Sequence, residues 1–255
     1  MSDSPSNTSG QGCSLSESQR LAYLRAMGIQ TWALKSEVNT APEIVPQPHH
    51  AVAAPVNKLA PNATPTAAKS DLSTLDWAAL QTVVSQCLQC ELHATRTQTV
   101  FGVGSQSAEL LIVGEAPGAD EDRDGEPFLG RAGKLLDAML HAIQLNRQQV
   151  YIANVLKCRP PQNRDPHISE IICCDGYLQR QIALLQPKLI LAAGRIAAQH
   201  LLLTQKAVGS LRGQVHRYNG IPLIVTYHPA YLLRMPADKG KAWQDLLQVK
   251  QLLLQ

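Results

Sequence analysis

Residues 109–118 read ELLIVGEAPG, a short apolar run that ends at a glycine and continues into a polar loop. Three comparable runs follow along the chain: VYIANV at 150–155, KLILAA at 188–193 and PLIVTY at 222–227. Between the runs, apolar residues recur at helical spacing, as they do over 135–143 and 168–182. Continuous apolar strands that alternate with helices are typical of a mostly parallel sheet covered on both faces. The sequence therefore predicts one α/β domain, with a central, mostly parallel four-stranded sheet flanked by helices.

The chain before this domain has a different composition. Six of the sixteen prolines in the whole protein fall between Pro42 and Pro65, mixed with Ala, Asn, Thr and Ser. Such a segment buries too little apolar surface to offset the entropy of ordering it. We therefore expect a disordered linker at 36–70, a tail with a short amphipathic helix at 1–35, and a folded domain at 71–255.

The tail has the features of a docking peptide. Residues 15–34 carry Leu21, Leu24 and Met27 at helical spacing, with Trp32 after them. A short apolar helix on a flexible tether suits a groove in a partner protein, or it packs on the main domain. Residues 24–32 are similar to the amino-terminal peptide of the psi subunit of bacterial replicative polymerase, which contacts the clamp loader. This similarity implies a replication or repair protein as partner.

Composition excludes some classes of protein and leaves nucleic acid open. No run of about 18 apolar residues occurs, so we expect no membrane-spanning helix. The polar amino terminus does not resemble a secretory signal, and we expect a cytoplasmic protein. In residues 71–255, six acids lie between Glu115 and Glu126, and the remainder holds 17 basic and 10 acidic residues. A basic surface around one acidic site suits a polyanion such as DNA.

The cysteines predict a metal site. Six cysteines in a reducing compartment seldom form disulfides. Cys87 and Cys90 form a C-x-x-C motif at the end of a helix-like stretch, whereas a thioredoxin-type redox pair begins a helix directly after a strand. With Cys158 and Cys174 the chain offers four thiols, which suit zinc or an iron–sulfur cluster, and Cys173 is an alternative to Cys174.

Polar residues follow three of the four predicted strands. Glu115 follows the first strand, Asn154 ends the second and His228 follows the fourth. Because the carboxyl ends of parallel strands meet at one edge of a sheet, we expect these side chains to share a site. An Asn amide matches the edge of a base, and His donates to developing negative charge. Phe128, after the acidic loop, offers a ring that stacks on a flat ligand.

These residues occur in blocks that resemble the family 4 uracil-DNA glycosylases, the iron–sulfur members of the uracil-DNA glycosylase superfamily. The blocks are GEAPG at 114–118 with Glu121-Asp122, GEPFLGRAG at 125–133, NVLKCRPPQNR at 154–164 and HPAYLLR at 228–234. The resemblance runs from about Leu75 to the carboxyl terminus. It implies the uracil-DNA glycosylase fold, uracil-containing DNA as substrate, and cleavage of the bond between base and sugar in a flipped nucleotide. We expect a monomer.

The resemblance also implies roles for individual residues. By position, the uracil pocket consists of Gly114, Glu115, Ala116, Phe128, Asn154 and His228. In it Phe128 stacks on the base, Asn154 reads its polar edge, and His228 lies near the oxygen that becomes negative. A structural [4Fe–4S] cluster is implied on Cys87, Cys90, Cys158 and Cys174, the last chosen over Cys173 because it preserves the family spacing.

The remaining roles are assigned near the pocket. Phosphate contacts are expected from Arg159, Arg164 and Arg234, and a wedge into the base stack from Tyr231, Leu232 and Leu233. Family 1 enzymes carry Asp at the position of Ala116 and Tyr at that of Gly118, so water activation here falls to Glu115, with Glu121 next. Exclusion of thymine then needs a steric block, for which we expect Glu121 beside the C5 edge of the base.

The sequence leaves two alternative functions open. One is an iron–sulfur DNA-binding or adaptor protein without glycosylase activity, which the tail supports and the intact polar set opposes. The other is a zinc-containing nucleotide-binding module. Broad visible absorption of the purified protein distinguishes an iron–sulfur cluster from zinc.

Overall fold

The structure is a computed structural model that describes residues 72–255. The predicted docking peptide at 15–34, its similarity to a polymerase subunit at 24–32 and the predicted linker at 36–70 lie outside the described residues.

The domain is built on a six-stranded sheet. Its strands are β1 (Val103–Gly104), β2 (Leu110–Gly114), β3 (Tyr151–Asn154), β4 (Leu189–Ala193), β5 (Val215–Tyr218) and β6 (Ile221–Thr226). Their order across the sheet is β1-β3-β2-β4-β6-β5. The four central strands are parallel, with Ile112 of β2 beside Ile152 of β3 and Leu191 of β4. This confirms the α/β fold and the four predicted strands.

The predicted strand count needs one correction, because each edge carries an additional antiparallel strand. β1 pairs with β3, and β5 pairs with β6. β1 has only two residues. β5 alternates between exposed and half-buried positions instead of forming a continuous apolar run. Neither strand therefore produces the pattern by which the central strands were predicted.

Helices connect the strands. The α-helices are α1 (Trp77–Ser85), α2 (Ala119–Asp124), α3 (Gly130–Ala142), α4 (Ile168–Leu185), α5 (Arg195–Leu201), α6 (Val208–Leu211), α7 (Pro229–Arg234) and α8 (Lys239–Leu253). Short 3-10 turns occur at Leu72–Thr74, Glu91–Ala94, Pro161–Asn163 and Pro236–Asp238. Within residues 72–255, no helix combines the length and the apolar character that crossing a bilayer requires.

Both faces of the sheet are covered, as predicted. Alternate strand residues point to opposite faces, so Ile112 packs in one apolar cluster and Leu111 in another. The first cluster includes Met139 of α3 and Leu246 of α8, and the second includes Ile182 of α4. Strands buried on both faces are held rigidly, and the loops at their carboxyl ends therefore start from fixed points.

Candidate active site

A cavity of about 720 Å³ opens at the carboxyl ends of the parallel strands. Its lining includes residues that follow or end four central strands: Glu115 after β2, Asn154 on β3, Gly194 after β4 and His228 after β6. Ala116 and Phe128 also contribute to the wall. The structure thus brings the sequence-predicted pocket residues together at one edge of the sheet. The volume lies in the usual range for small-molecule sites, about 300–1,000 Å³.

Gly114 allows the base of the cavity to close tightly. A Cβ atom at this position would lie 2.4 Å from Oδ1 of Asn154 and 2.6 Å from the ring of Phe128. Any larger residue would therefore displace the amide or the ring. Gly114 is thus a packing requirement for Asn154 and Phe128, and its own contact with the base stays a prediction.

Phe128 is held from several sides. Its φ of 55° is a left-handed conformation that is uncommon for a bulky residue. The guanidinium of Arg147 donates to the carbonyl oxygens of Pro127 and Phe128 and pairs with Asp137 at 2.7 Å. On the other side, a Cβ on Gly133 would meet the Phe128 carbonyl oxygen at 1.8 Å. The ring is consequently fixed at the cavity wall and is 5% exposed.

His228 is fixed in one tautomer by the helix that it begins. It is the N-cap of α7, and its Nδ1 accepts a hydrogen bond of 3.2 Å from the backbone N–H of Ala230. In the neutral imidazole the proton must then be on Nε2. Burial lowers the pKa of His228 to about 4, and the nearby charge of Arg234 acts in the same direction. The ring stacks against Phe128 with 5.2 Å between the centroids.

Glu115 lies half-buried in the cavity wall. Burial raises the pKa of its carboxyl group, repulsion from Asp165 raises it further, and attraction to Arg195 lowers it. Asp165 and Arg195 form an ion pair of 2.6 Å at the rim of the cavity. A carboxylate that is poorly solvated and has a raised pKa is well suited to accept a proton.

Glu121 lines the same cavity, but both of its carboxylate oxygens are engaged by the backbone. One accepts from the N–H of Gly118 at 3.0 Å and the other from the N–H of Leu129 at 2.8 Å. The side chain thereby joins the start of α2 to the loop that follows Phe128. This arrangement favours a structural function for Glu121 over water activation. Its predicted contact with the C5 edge of the base stays a prediction.

The predicted phosphate-binding arginines differ in how they are held. Arg164 is paired with the carboxylate of Glu170 through hydrogen bonds of 3.0 and 2.6 Å, and Arg159 donates to Asn163 at 2.7 Å. Arg234 is exposed and lines the cavity. Of the three guanidinium groups, that of Arg234 is therefore in the most accessible position for a DNA phosphate.

The predicted wedge requires a correction. Leu232 has 0% exposure and belongs to the apolar cluster under α3 and α8, so its side chain is not accessible to a base stack in this structure. The neighbouring Tyr231 and Leu233 are half-buried at the surface. The Tyr231 ring stacks on Tyr227 with 5.0 Å between the centroids, and its hydroxyl donates to Asp238 at 2.7 Å. Helix α7 thus turns Leu232 inward and leaves the residues on either side near the cavity.

The four cysteines predicted as ligands share a third apolar cluster, between α1 and α4. Cys158 and Cys174 are buried in it, and Cys87 and Cys90 pack against it, whereas Cys173 does not belong to it. Burial and the neighbouring thiols raise the pKa of Cys90 to about 11 and that of Cys174 to about 12. In residues 72–255, no three Cys, His, Asp or Glu side chains surround a point that would hold a single metal ion.

Four thiols are a donor set that an iron–sulfur cluster or a zinc ion uses in proteins. The Cys158 sulfur also accepts a hydrogen bond of 3.1 Å from Arg96, a donor that would stabilise a charged ligand.

Several residues that line the cavity are not predicted by the sequence. Two of them, Gly194 and Arg195, follow β4, the one predicted strand without a polar residue at its end. The signal was available, because residues after every parallel strand reach the same edge of the sheet. Gly194 has a φ of +100°, and a Cβ there would lie 2.8 Å from the Cβ of His228.

Comparison with known proteins identifies similar chains. The sequence profile of the uracil-DNA glycosylase superfamily matches residues 101–247. A type-4 uracil-DNA glycosylase from Archaeoglobus fulgidus is 43% identical over 177 residues, which is 66% of this chain and 89% of the relative. One from Thermotoga maritima is 41% identical over 153 residues, 59% of this chain and 80% of the relative. A type-5 uracil-DNA glycosylase from Thermus thermophilus is 31% identical over 153 residues, 51% of this chain and 68% of the relative.

Proposed function

The chain belongs to the uracil-DNA glycosylase superfamily and to its type-4 group, and on this premise we propose that it hydrolyses the N-glycosidic bond of uracil in DNA. The observation that carries the proposal is the meeting of a carboxylate, an amide and a neutral imidazole in one cavity. The target bond lies inside a duplex, so the nucleotide must leave the base stack to reach these groups. Such a reaction starts base excision repair.

His228 would stabilise the departing base. Uracil leaves as an anion, and a hydrogen-bond donor at its oxygen lowers the barrier most when the donor is already in place. Because Nδ1 accepts from Ala230, the neutral ring carries its proton on Nε2, and that N–H is the donor that the base would meet. The low pKa of the ring keeps it neutral at physiological pH, so His228 would donate a hydrogen bond to the base and not transfer a proton to it.

Glu115 would act on the sugar side. The sugar becomes oxocarbenium-like as the bond breaks, and a carboxylate stabilises that positive charge and accepts a proton from the attacking water. Its raised pKa suits the second task. We propose Glu115 for this function over Glu121, whose oxygens are already engaged by backbone N–H groups.

Selection of uracil would rest on Asn154 and Phe128. The Asn154 side chain is 2% exposed, and its amide offers a donor and an acceptor to the polar edge of the base. Phe128 supplies an aromatic face, and the close packing at Gly114 limits the space beside it. We propose Arg234, with Arg159 and Arg164, for the flanking phosphates, and Tyr231 with Leu233 for the gap in the base stack.

We propose that Cys87, Cys90, Cys158 and Cys174 hold a [4Fe–4S] cluster. When bound, the cluster would join the C-x-x-C segment to the loop after β3 and to α4, and it would take no part in electron transfer. Cys158 is four residues beyond Asn154, so these thiols would steady the loop that follows the uracil-reading amide. Visible absorption and the iron content per chain test this proposal.

The remaining proposals concern the setting of the enzyme. The five described cysteines are free, which suits the reducing cytoplasm. We propose that the domain at 71–255 acts as a monomer on DNA. We also propose that residues 15–34 bind a replication or repair protein, and that the linker at 36–70 tethers them to the domain. Binding of a peptide with this sequence to candidate partners, compared with a Trp32→Ala peptide, tests the last point.

The first test is single-turnover release of uracil from a labelled oligonucleotide. We expect release by the wild type, and losses of about a hundredfold or more in Glu115→Gln and His228→Ala with DNA affinity nearly unchanged. Glu126→Gln is the matched control, because Glu126 is an exposed carboxylate at the end of the same acidic segment. No release from iron-containing protein would overturn the proposal in favour of an adaptor without glycosylase activity.

A further inference from the structure

Helix α8 contains a carboxylate that the proposed reaction does not use. Asp245 is 0% exposed and lies among the apolar residues that pack α8 on the sheet, next to Leu246. It is outside the cavity wall. A charge in such a place is costly unless it is paired and hydrogen-bonded, so its surroundings indicate what it does.

Asp245 is fully engaged by two side chains. Arg212 donates to its two oxygens at distances of 2.8 and 3.1 Å. The hydroxyl of Thr226 donates to Oδ2 at 2.9 Å. Thr226 is 1% exposed, and the Arg212 side chain is 13% exposed, so little water competes for these bonds. Hydrogen bonds of this buried, charge-assisted kind hold their partners in a single geometry.

Thr226 is the last residue of β6, two residues before His228. Its hydroxyl is bound to Asp245 on α8, and its carbonyl oxygen accepts from the N–H of Gly194 at 2.9 Å. Gly194 in turn packs directly against the Cβ of His228. The chain therefore leaves the sheet from a point that is clamped on two sides.

Arg212 also contacts Tyr227, the residue between Thr226 and His228. Its guanidinium carbon lies 5.7 Å from the ring centroid of Tyr227, within the range of a cation–π contact. Tyr227 stacks on Tyr231 of α7. The Arg212–Asp245 pair thus contacts both residues that lead from β6 to His228.

We propose that Asp245 is a positioning residue for His228, acting through the Thr226 hydroxyl and through Arg212. The inference rests on the proposed function, in which the Nε2–H of His228 must meet the oxygen of the leaving base. Misplacement of a reacting group by about 1 Å costs roughly a hundredfold in rate. The network behind the sheet edge would prevent such a displacement.

The test compares two substitutions at Thr226. Thr226→Val keeps the shape of the side chain and removes the hydroxyl, and Thr226→Ser keeps the hydroxyl. We expect Thr226→Val to lower the single-turnover rate at least tenfold with unchanged affinity for uracil-containing DNA, and Thr226→Ser to stay within about threefold of the wild type. Equal rates in all three proteins, or equal losses in both variants, would overturn the proposal.

A second readout does not depend on activity. The ring ¹⁵N resonances of His228 report its tautomer and hydrogen bonding, and we expect them to shift in Thr226→Val and not in Thr226→Ser. If the wild type releases no uracil, the proposed function fails, and these resonances still decide whether Thr226 positions the ring. Should Thr226→Val not fold, Arg212→Lys replaces it, because lysine keeps the charge and loses the two-point contact with Asp245. Wild-type resonances and rate in that variant would also overturn the proposal.

Discussion

The environment of His228 determines which form of the imidazole is available. Burial lowers its pKa to about 4, and the N–H of Ala230 occupies Nδ1. Most histidines titrate near pH 6.5, where half would carry a positive charge. His228 is instead neutral over the physiological range. The donor that His228 would offer to a leaving base is therefore the same at pH 6 as at pH 8.

The pH dependence of the chemical step follows from these shifts. Above pH 4 His228 is neutral, whereas Glu115, whose pKa is raised above its ordinary 4.5, must lose its proton to accept one from water. We expect the single-turnover rate to rise with pH as Glu115 loses its proton, with no separate step near pH 6.5 from His228. The rise should be absent from the residual rate of Glu115→Gln. A step near pH 6.5 that persists in Glu115→Gln would contradict this assignment.

Substitution of Gly194 tests how closely the cavity wall packs against His228. Alanine at this position would strain a φ of +100° and place its Cβ 2.8 Å from that of His228. We expect Gly194→Ala to lower the single-turnover rate tenfold or more. Gly220→Ala is the control, because Gly220 has a φ of +85° with no atom within 4 Å of the added Cβ. Both variants should lose about 1 kcal/mol of stability from backbone strain, and a similar loss of rate in both would contradict the prediction.

Individual residues differ in how far the sequence predicts them. Asn154 and His228 are predictable because a polar side chain at the end of an apolar strand has a known location. The Thr226–Asp245 hydrogen bond is not, since its partners are far apart in sequence and each alone resembles an ordinary helix or strand residue. Glu121 and Arg164 were predicted to face substrate, and only coordinates show the backbone and the carboxylate that hold them.

For helices and strands, the length of the element determines how clearly the hydrophobic pattern of the sequence predicts it. The four central strands are continuous apolar runs, and their observed bounds lie within about a residue of the predicted ones. Helix α7 has six residues, less than two turns, so periodicity does not indicate which of Leu232 and Leu233 is buried. β1 is shorter still. Its pairing with β3 is a tertiary contact with no local signal.

Helix α7 also gives a direct comparison of two adjacent leucines. Leu232→Ala should lower the free energy of unfolding by about 2–5 kcal/mol, because it opens a cavity in the core. Leu233→Ala should change stability by less than about 1 kcal/mol and weaken binding to uracil-containing DNA. Denaturant titration and a DNA-binding assay measure the two effects. The prediction would be wrong if Leu232→Ala were the more weakly destabilised variant.

For the molecule as a whole, the cysteine cluster joins segments that are distant in sequence. The C-x-x-C loop, the loop after β3 and helix α4 meet there. Cys87→Ser should remove the visible absorption and most of the iron, and lower Tm by roughly 10 °C, which corresponds to about 3–4 kcal/mol. Cys173→Ser is the matched control and should keep its iron and its Tm. Retention of iron by Cys87→Ser would contradict the ligand assignment.

The two short antiparallel strands have a consequence for the behaviour of the molecule in concentrated solution. An edge strand exposes unpaired N–H and C=O groups that a second copy can extend into a continuous sheet. β1 offers only Val103–Gly104, and both Gly102 and Gly104 have positive φ values that break the strand geometry. β5, at the opposite edge, carries the polar side chains of His216 and Arg217. Both edges therefore resist strand addition, and the domain should remain dispersed at concentrations where an open parallel sheet would aggregate.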